Sequence, residues 1–173
     1  DCGGSALEDE CGDCNGDGPD TGYDCDGGCV DATVCGEASV SVSATSSGAT
    51  VSYSSNFDVA GFQFSVSGVT LTGASSGLAD TQFNDGTGVV IGFDFAGGTL
   101  PAGDGVLAEL SFDETVNGGT IELSGITVSS LESGGITLSS NDIASADVPA
   151  CEDVDGDSVC DSGDDCVGAY DDC

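Results

Sequence analysis

Six positions near the C-terminal end have the types and spacing to hold a hard cation. Asp153, Asp155 and Asp157 alternate; Val159 follows, then Asp161 and Asp164. Counted from Asp153 as position 1, carboxylates stand at 1, 3, 5, 9 and 12, and Val159 offers its backbone carbonyl at 7. That is the order in which an oxygen-ligand calcium loop presents its donors. Two positions depart from it: position 6 is Ser158 where glycine is usual, and position 12 is aspartate rather than glutamate. A fainter version lies near the other end. There Asp13, Asn15, Asp17 and Gly18 stand at 1, 3, 5 and 6, Pro19 offers its carbonyl at 7, and Asp24 falls at 12. Calcium is the expected ion at both, and a merely solvated acidic segment is the alternative at each.

Charge strengthens this reading. The chain has no Lys, Arg or His against 32 Asp and Glu, a formal charge of −32 with no internal cation to pair it. Cations must come from solution, and clustered carboxylates select hard divalent ions. An extracellular or cell-surface setting, where calcium is plentiful, is therefore expected. Catalysis is not. There is no His for general base work and no cationic group for an oxyanion. Two carboxylates such as Glu109 and Glu122 could in principle form a glycosidase pair, but both fall on the solvent face of expected strands. Direct nucleic-acid binding is excluded, because phosphate is held by cationic side chains. With no Trp and few aromatics, a stacking platform for polysaccharide is not expected.

The cysteines divide the chain. Six lie between Cys2 and Cys35, four between Cys151 and Cys173, and none between those groups. An even count in an acidic, calcium-seeking chain reads as disulfides formed in an oxidising compartment, with pairs inside each arm. The acids follow the same division: 11 in residues 1–37, nine in 151–173 and 12 in the much longer middle. The expected organisation is a cysteine-rich acidic arm over 1–37, a globular unit over 38–150 and a cysteine-rich calcium-binding arm over 151–173. The spacing of Cys11, Cys14, Cys25 and Cys29 would also suit zinc. The acidic start has no basic n-region, as expected of a mature chain or a piece of a longer one. No stretch approaches the roughly 18 apolar residues of a membrane span.

The elements that must position these loops are strands. Phe62, Phe64 and Val66 alternate with Gln63, Ser65 and Ser67; Val40 and Val42 alternate with serines; Val51 and Tyr53 do likewise. Val106, Ala108, Leu110 and Phe112 are expected on one face, and Ile91, Phe93 and Phe95 on another, with all these Phe side chains in the core. Ile121 and Leu123 precede Gly125, which reads as a bulge or turn before Ile126 and Val128. Gly-, Asn- and Asp-rich turns separate the segments, and none shows a helical period. Eight or nine short strands at such spacing predict an all-β fold, a two-sheet jelly-roll-like sandwich, with irregular disulfide-rich arms at both ends.

Two resemblances add to this. Asp58-Val59-Ala60-Gly61-Phe62-Gln63-Phe64, Gly68-Val69-Thr70-Leu71-Thr72-Gly73-Ala74 and Leu100-Pro101-Ala102-Gly103-Asp104-Gly105-Val106-Leu107 resemble the cohesin-like sandwiches of secreted bacterial proteins. That implies either a module that binds dockerins or a surface or fibre module. The string Asp155-Gly156-Asp157 with Cys160, Asp161, Asp164, Asp165 and Cys166 resembles a thrombospondin type 3 repeat, and aspartate at position 12 is shared with dockerins. This resemblance implies neighbouring disulfides wrapping calcium ions with almost no hydrophobic core. Glu8-Asp9-Glu10-Cys11-Gly12-Asp13-Cys14-Asn15-Gly16-Asp17-Gly18 is similar to units repeated in secreted microbial proteins.

Two functions follow as expectations. The first is a structural subunit or repeat of a calcium-stabilised extracellular fibre, a homopolymer of copies joined head to tail. The strand near 38–44 is the expected edge for adding a neighbour. The second is a cohesin-like or adhesin-type binding module. Paired hydroxyls such as Ser46-Ser47, Ser54-Ser55 and Ser139-Ser140 are candidate sites for O-glycans on Ser or Thr.

Overall fold

The computed structural model describes residue 2, residues 7–132 and residues 135–164. Among these residues, one four-residue helix, α1 (Ala32–Cys35), precedes ten strands: β1 (Ala38–Ala44), β2 (Gly48–Ser55), β3 (Gly61–Ser67), β4 (Leu71–Ser75), β5 (Asp80–Phe83), β6 (Val89–Phe93), β7 (Gly103–Phe112), β8 (Gly119–Ser130), β9 (Ile136–Leu138) and β10 (Ile143–Val148). They form two sheets, ordered β1-β2-β7-β4 and β10-β8-β3-β6-β5, with β9 against β8. All these pairings are antiparallel. The fold is the expected all-β two-sheet sandwich.

Alternation explains which residues meet between the sheets. Val51 and Tyr53 from β2, Phe62, Phe64 and Val66 from β3, and Ile121 and Leu123 from β8 are all buried. The Phe62 and Phe64 rings stack with centroids 5.6 Å apart. Gly125, at φ +60°, marks the slip in β8 that returns Ile126 and Val128 to the core. That is the expected bulge, and it lets one strand keep a single buried face over 12 residues.

Two expected faces differ from the observed ones. In β7 the ladder to β2 slips at Val51/Ser52, which face Ala108 and Val106, so the intervening Leu107 joins Ala108 in the core. Val106 is left 46% exposed. A bulge changes the phase of alternation, and nothing in a six-residue apolar pattern marks where it falls. In β6 the inward residues are Val90 and Gly92, not Ile91 and Phe93. Gly92 faces the core because the Phe62 ring occupies the space a Cβ would take. Ile91, Phe93 and Phe95 therefore turn outward, and Phe95 is 86% exposed rather than core.

The β1 edge is also less open than expected. The Val40 N–H donates to Asn141 Oδ1 at 2.7 Å, and Asn141 Nδ2 donates back to the Val40 carbonyl at 3.0 Å. The Ala38 N–H donates to the Ser139 carbonyl at 2.7 Å. A side-chain amide thus closes the first half of this edge, a common device against unwanted strand pairing.

Candidate functional site

The C-terminal loop is built by its own carboxylates. Asp153 accepts from the Gly156 N–H at 2.8 Å and, with its other oxygen, from the Ser158 N–H at 3.2 Å. Asp157 accepts from the Val159 N–H at 2.8 Å, and Asp161 from the Val154 N–H at 3.0 Å. The Asp161 N–H closes the loop on the Glu152 carbonyl at 2.8 Å. One carboxylate oxygen from each of Asp153, Asp155 and Asp157 lies within 4.8 Å of the others, the one such group of metal-ligating side chains among the described residues. Val159, Asp161 and Asp164 stand in the same loop.

The electrostatics of this loop suit a cation. The Asp157 N–H draws the Asp155 carboxyl down, but desolvation and the charges of Asp157, Asp164 and Asp153 outweigh it and hold it above its ordinary value. Three like charges this close repel unless a proton or a metal ion intervenes. The all-oxygen donor set fits calcium. Calcium here would neutralise that repulsion.

Backbone geometry accounts for the unusual residue at position 6. Ser158 has φ +74°, in the left-handed region where a Cβ costs about 1–2 kcal/mol. Glycine would remove that cost. Ser158→Gly is expected to tighten calcium binding by about 1 kcal/mol, roughly five-fold. Asp157→Ala is expected to weaken it, and chelation to expose residues 151–164 to protease while the sandwich stays intact. Calcium titration and limited proteolysis check both. Unchanged proteolysis with chelator would remove the case for the ion.

The arm is seated on the sandwich by a residue that the sequence did not single out. Glu114, in the turn after β7, accepts from Ser46 Oγ at 2.8 Å and from Ser162 Oγ with its other oxygen. The Ser162 hydroxyl, then the Ser46 hydroxyl, holds the Glu114 carboxyl below its usual range. The Cys151 N–H donates to the Thr115 carbonyl at 3.2 Å nearby. No local pattern could reveal this, since Ser46 and Ser162 lie 68 and 48 residues from Glu114. A folded-state value below the unfolded one makes the seating strongest above the ordinary glutamate range of about 4.3 and lost as acid titrates Glu114. Glu114→Ala is expected to release the arm at neutral pH, read as faster cleavage after residue 151 with the sandwich's unfolding unchanged.

The N-terminal arm is organised differently from the expected Asp13 schedule. Its hub is Asp9, whose carboxylate accepts from the Asp13 N–H at 2.8 Å and from the Cys11 and Gly18 N–H groups at 3.0 Å each. The Asp13 amide leads in holding the Asp9 carboxyl low. Asp13 and Asp24 line one cleft, together with Asp9 and Asp20. Asp24 turns one oxygen to the Gly28 and Asp26 N–H groups at 2.7 and 3.0 Å. Asn15 takes φ +56°, and Asp17 does not line that cleft. Asp13, Asp17 and Asp24 do not bring ligand oxygens together as Asp153, Asp155 and Asp157 do.

Among the described residues, four disulfides join Cys2–Cys14, Cys11–Cys25, Cys29–Cys35 and Cys151–Cys160, each inside its own arm. The zinc alternative falls with them: Cys11, Cys14, Cys25 and Cys29 sit in three separate bridges and offer no thiolate. Asp165, Cys166 and Cys173 lie outside the described residues.

A second surface stands on the outer face of the larger sheet. Val89, Ile91 and Phe93 of β6 point outward, and Phe95 follows, packed edge to face on Phe93 at 4.7 Å. Their register neighbours are small or polar: Ser65, Gln63 and Gly61 on β3, Gln82 and Asp80 on β5.

The architecture matches that of cohesin modules. The seventh ScaB type I cohesin from Pseudobacteroides cellulosolvens superposes with a TM-score of 0.51 at 14% identity, over 68% of this chain and 96% of that one. A non-cellulosomal cohesin from the archaeon Archaeoglobus fulgidus gives 0.48 at 14%, over 66% and 92%. A chain of a type I cohesin–dockerin complex from Clostridium thermocellum gives 0.48 at 8%, over 65% and 99%. The first of these carries the assignment: the sandwich has a cohesin-like fold. No protein-family profile and no curated protein matches the chain. No helix among the described residues is long and apolar enough to cross a membrane.

Proposed function

We propose that this chain is an extracellular, non-catalytic docking module. Its cohesin-like sandwich meets a protein partner through the outer face of β6, and its arms are braced by disulfides and calcium. The observation that carries the reading is the outward row ending in Phe93 and the 86% exposed Phe95. Exposed aromatic side chains are frequent anchors of an interface. Asp80, Asp85 and Asp94 lie around this row in a chain with no cation of its own. A complementary partner therefore supplies Lys or Arg at the rim and an apolar centre. The cohesin-like fold supports a dockerin-type calcium-loop domain as the first partner to test. Replacing Phe93 and Phe95 by Ala should each cost about 2 kcal/mol of affinity, roughly 30-fold, in a calorimetric titration. Unchanged affinity in the double variant would refute the face.

A second reading is favoured by the C-terminal loop itself, which exposes Val154 (72%) and Val159 (44%) beside its carboxylates. The same chain thus carries a receptive face and a calcium loop with apolar points. One copy's arm docking on the next copy's sheet is a heterologous contact, which builds an open filament. With −32 on each copy, assembly requires divalent ions that neutralise carboxylates, which monovalent screening does not replace. Sedimentation in calcium decides between the two: polymers without added partner support the filament, and monomers at every concentration support the docking module.

A further inference from the structure

The five Asp–Gly bonds of this chain are Asp17–Gly18, Asp26–Gly27, Asp85–Gly86, Asp104–Gly105 and Asp155–Gly156. Such bonds share one reactivity. Glycine has no Cβ to shield its nitrogen, so that nitrogen can attack the preceding carboxyl carbon when the two are held together. In four of the five, the fold holds the glycine elsewhere. Gly18 donates to Asp9 Oδ2 at 3.0 Å, Gly27 to the Asp24 carbonyl at 3.0 Å and Gly156 to Asp153 Oδ1 at 2.8 Å. Gly105 is fixed in the β7 ladder opposite Tyr53. The two Asn–Gly bonds are restrained likewise, Gly16 on the Asp13 carbonyl and Gly118 on the Thr115 carbonyl.

Asp85–Gly86 is different. The Gly86 N–H turns to the Asp85 carboxylate itself, at 2.9 Å from Oδ1. Both residues are exposed, at the tip of the β5–β6 turn. Around them the turn is held by Asn84, whose backbone pairs with Val89 and Gly88 and whose side chain accepts from Thr87 at 2.9 Å. The reacting pair is thus brought together on a fixed frame and left open to water.

We infer that Asp85 is a site of spontaneous aspartate isomerisation in the folded protein. The Gly86 nitrogen bonds to Asp85 Cγ, and its proton leaves with the carboxyl hydroxyl as water, giving a five-membered succinimide. Water then adds to the main-chain carbonyl carbon of Asp85 and breaks its bond to nitrogen. The chain now runs through Cγ, and the former backbone carbonyl becomes a free carboxylate. Addition at Cγ instead restores aspartate. No oxidant or co-reactant is consumed, and mass and charge are unchanged. The product has one more backbone carbon in the turn that sets the β5–β6 register, beside Phe83 and Val90.

The test is prolonged incubation of the folded protein in mildly acidic buffer, where the neutral carboxyl that loses water is more abundant. Isoaspartate is then mapped by isoaspartyl methyltransferase labelling and by digestion with a protease that cuts before aspartate. The expected result is label and a lost cleavage at Asp85, with the other four Asp–Gly bonds unlabelled. Gly86→Ala should abolish the signal. It fits the fold, since an added Cβ would meet only Asn84 Oδ1, at 3.5 Å. Equal labelling of all five bonds, no labelling, or labelling that survives Gly86→Ala would overturn the inference.

Discussion

Leu107→Ala is expected to lower the unfolding free energy of the sandwich by about 2–5 kcal/mol, and Val106→Ala to change it by no more than about 0.5 kcal/mol. The contrast tests the bulge. Strict alternation through Val106, Ala108, Leu110 and Phe112 puts Leu107 outside and makes Val106 the costly loss. The β2–β7 slip reverses the two, leaving Leu107 with no exposed surface and Val106 nearly half exposed. Removing a fully buried leucine forfeits its transfer free energy and leaves a cavity between the sheets that relaxes only in part. Urea unfolding of both variants measures the difference at an unchanged slope. Equal losses, or a larger loss at Val106, would mean that β7 keeps its alternation.

That pair of residues shows where the sequence was legible and where it was not. Strands such as Phe62–Val66 alternate cleanly because one face meets a core and the other meets water, so their buried face could be read directly. Gly125 was readable too, because a glycine between two phases of alternation in β8 signals the extra residue. β6 was not. Its run Val89-Val90-Ile91 has no polar residue to set the phase, and Gly92 looked like a solvent position when it makes room for the Phe62 ring. That one inversion hid the outward Phe93 and Phe95. The convergence of Asp153, Asp155 and Asp157 was legible because the three alternate within one short stretch of sequence. Glu114 was not, because its two partners come from a distant hairpin and from the arm.

Reduction of the disulfides is expected to unfold both arms and spare the sandwich. Among the described residues, the buried apolar cluster runs from Ala38 to Val148, with Ala32 the one member inside an arm. The described parts of the arms have no comparable core to oppose the entropy of the open chain. Cross-links do that instead, closing separations of 12, 14, 6 and 9 residues. Losing one such bridge from a small secreted unit costs about 2–5 kcal/mol, more than segments this poor in buried surface can spare. The sandwich contains no cysteine and has nothing to lose. Hydrogen exchange before and after reduction and alkylation should show lost protection over residues 7–37 and 151–164, with protection from β1 to β10 retained. Calcium separates the two arms. In the reduced chain it should restore protection around Asp153, Asp155 and Asp157, where carboxylates already converge, and much less around Asp13, Asp17 and Asp24. Arms that stay protected after complete alkylation, or a sandwich that melts with them, would place the stabilising contacts elsewhere.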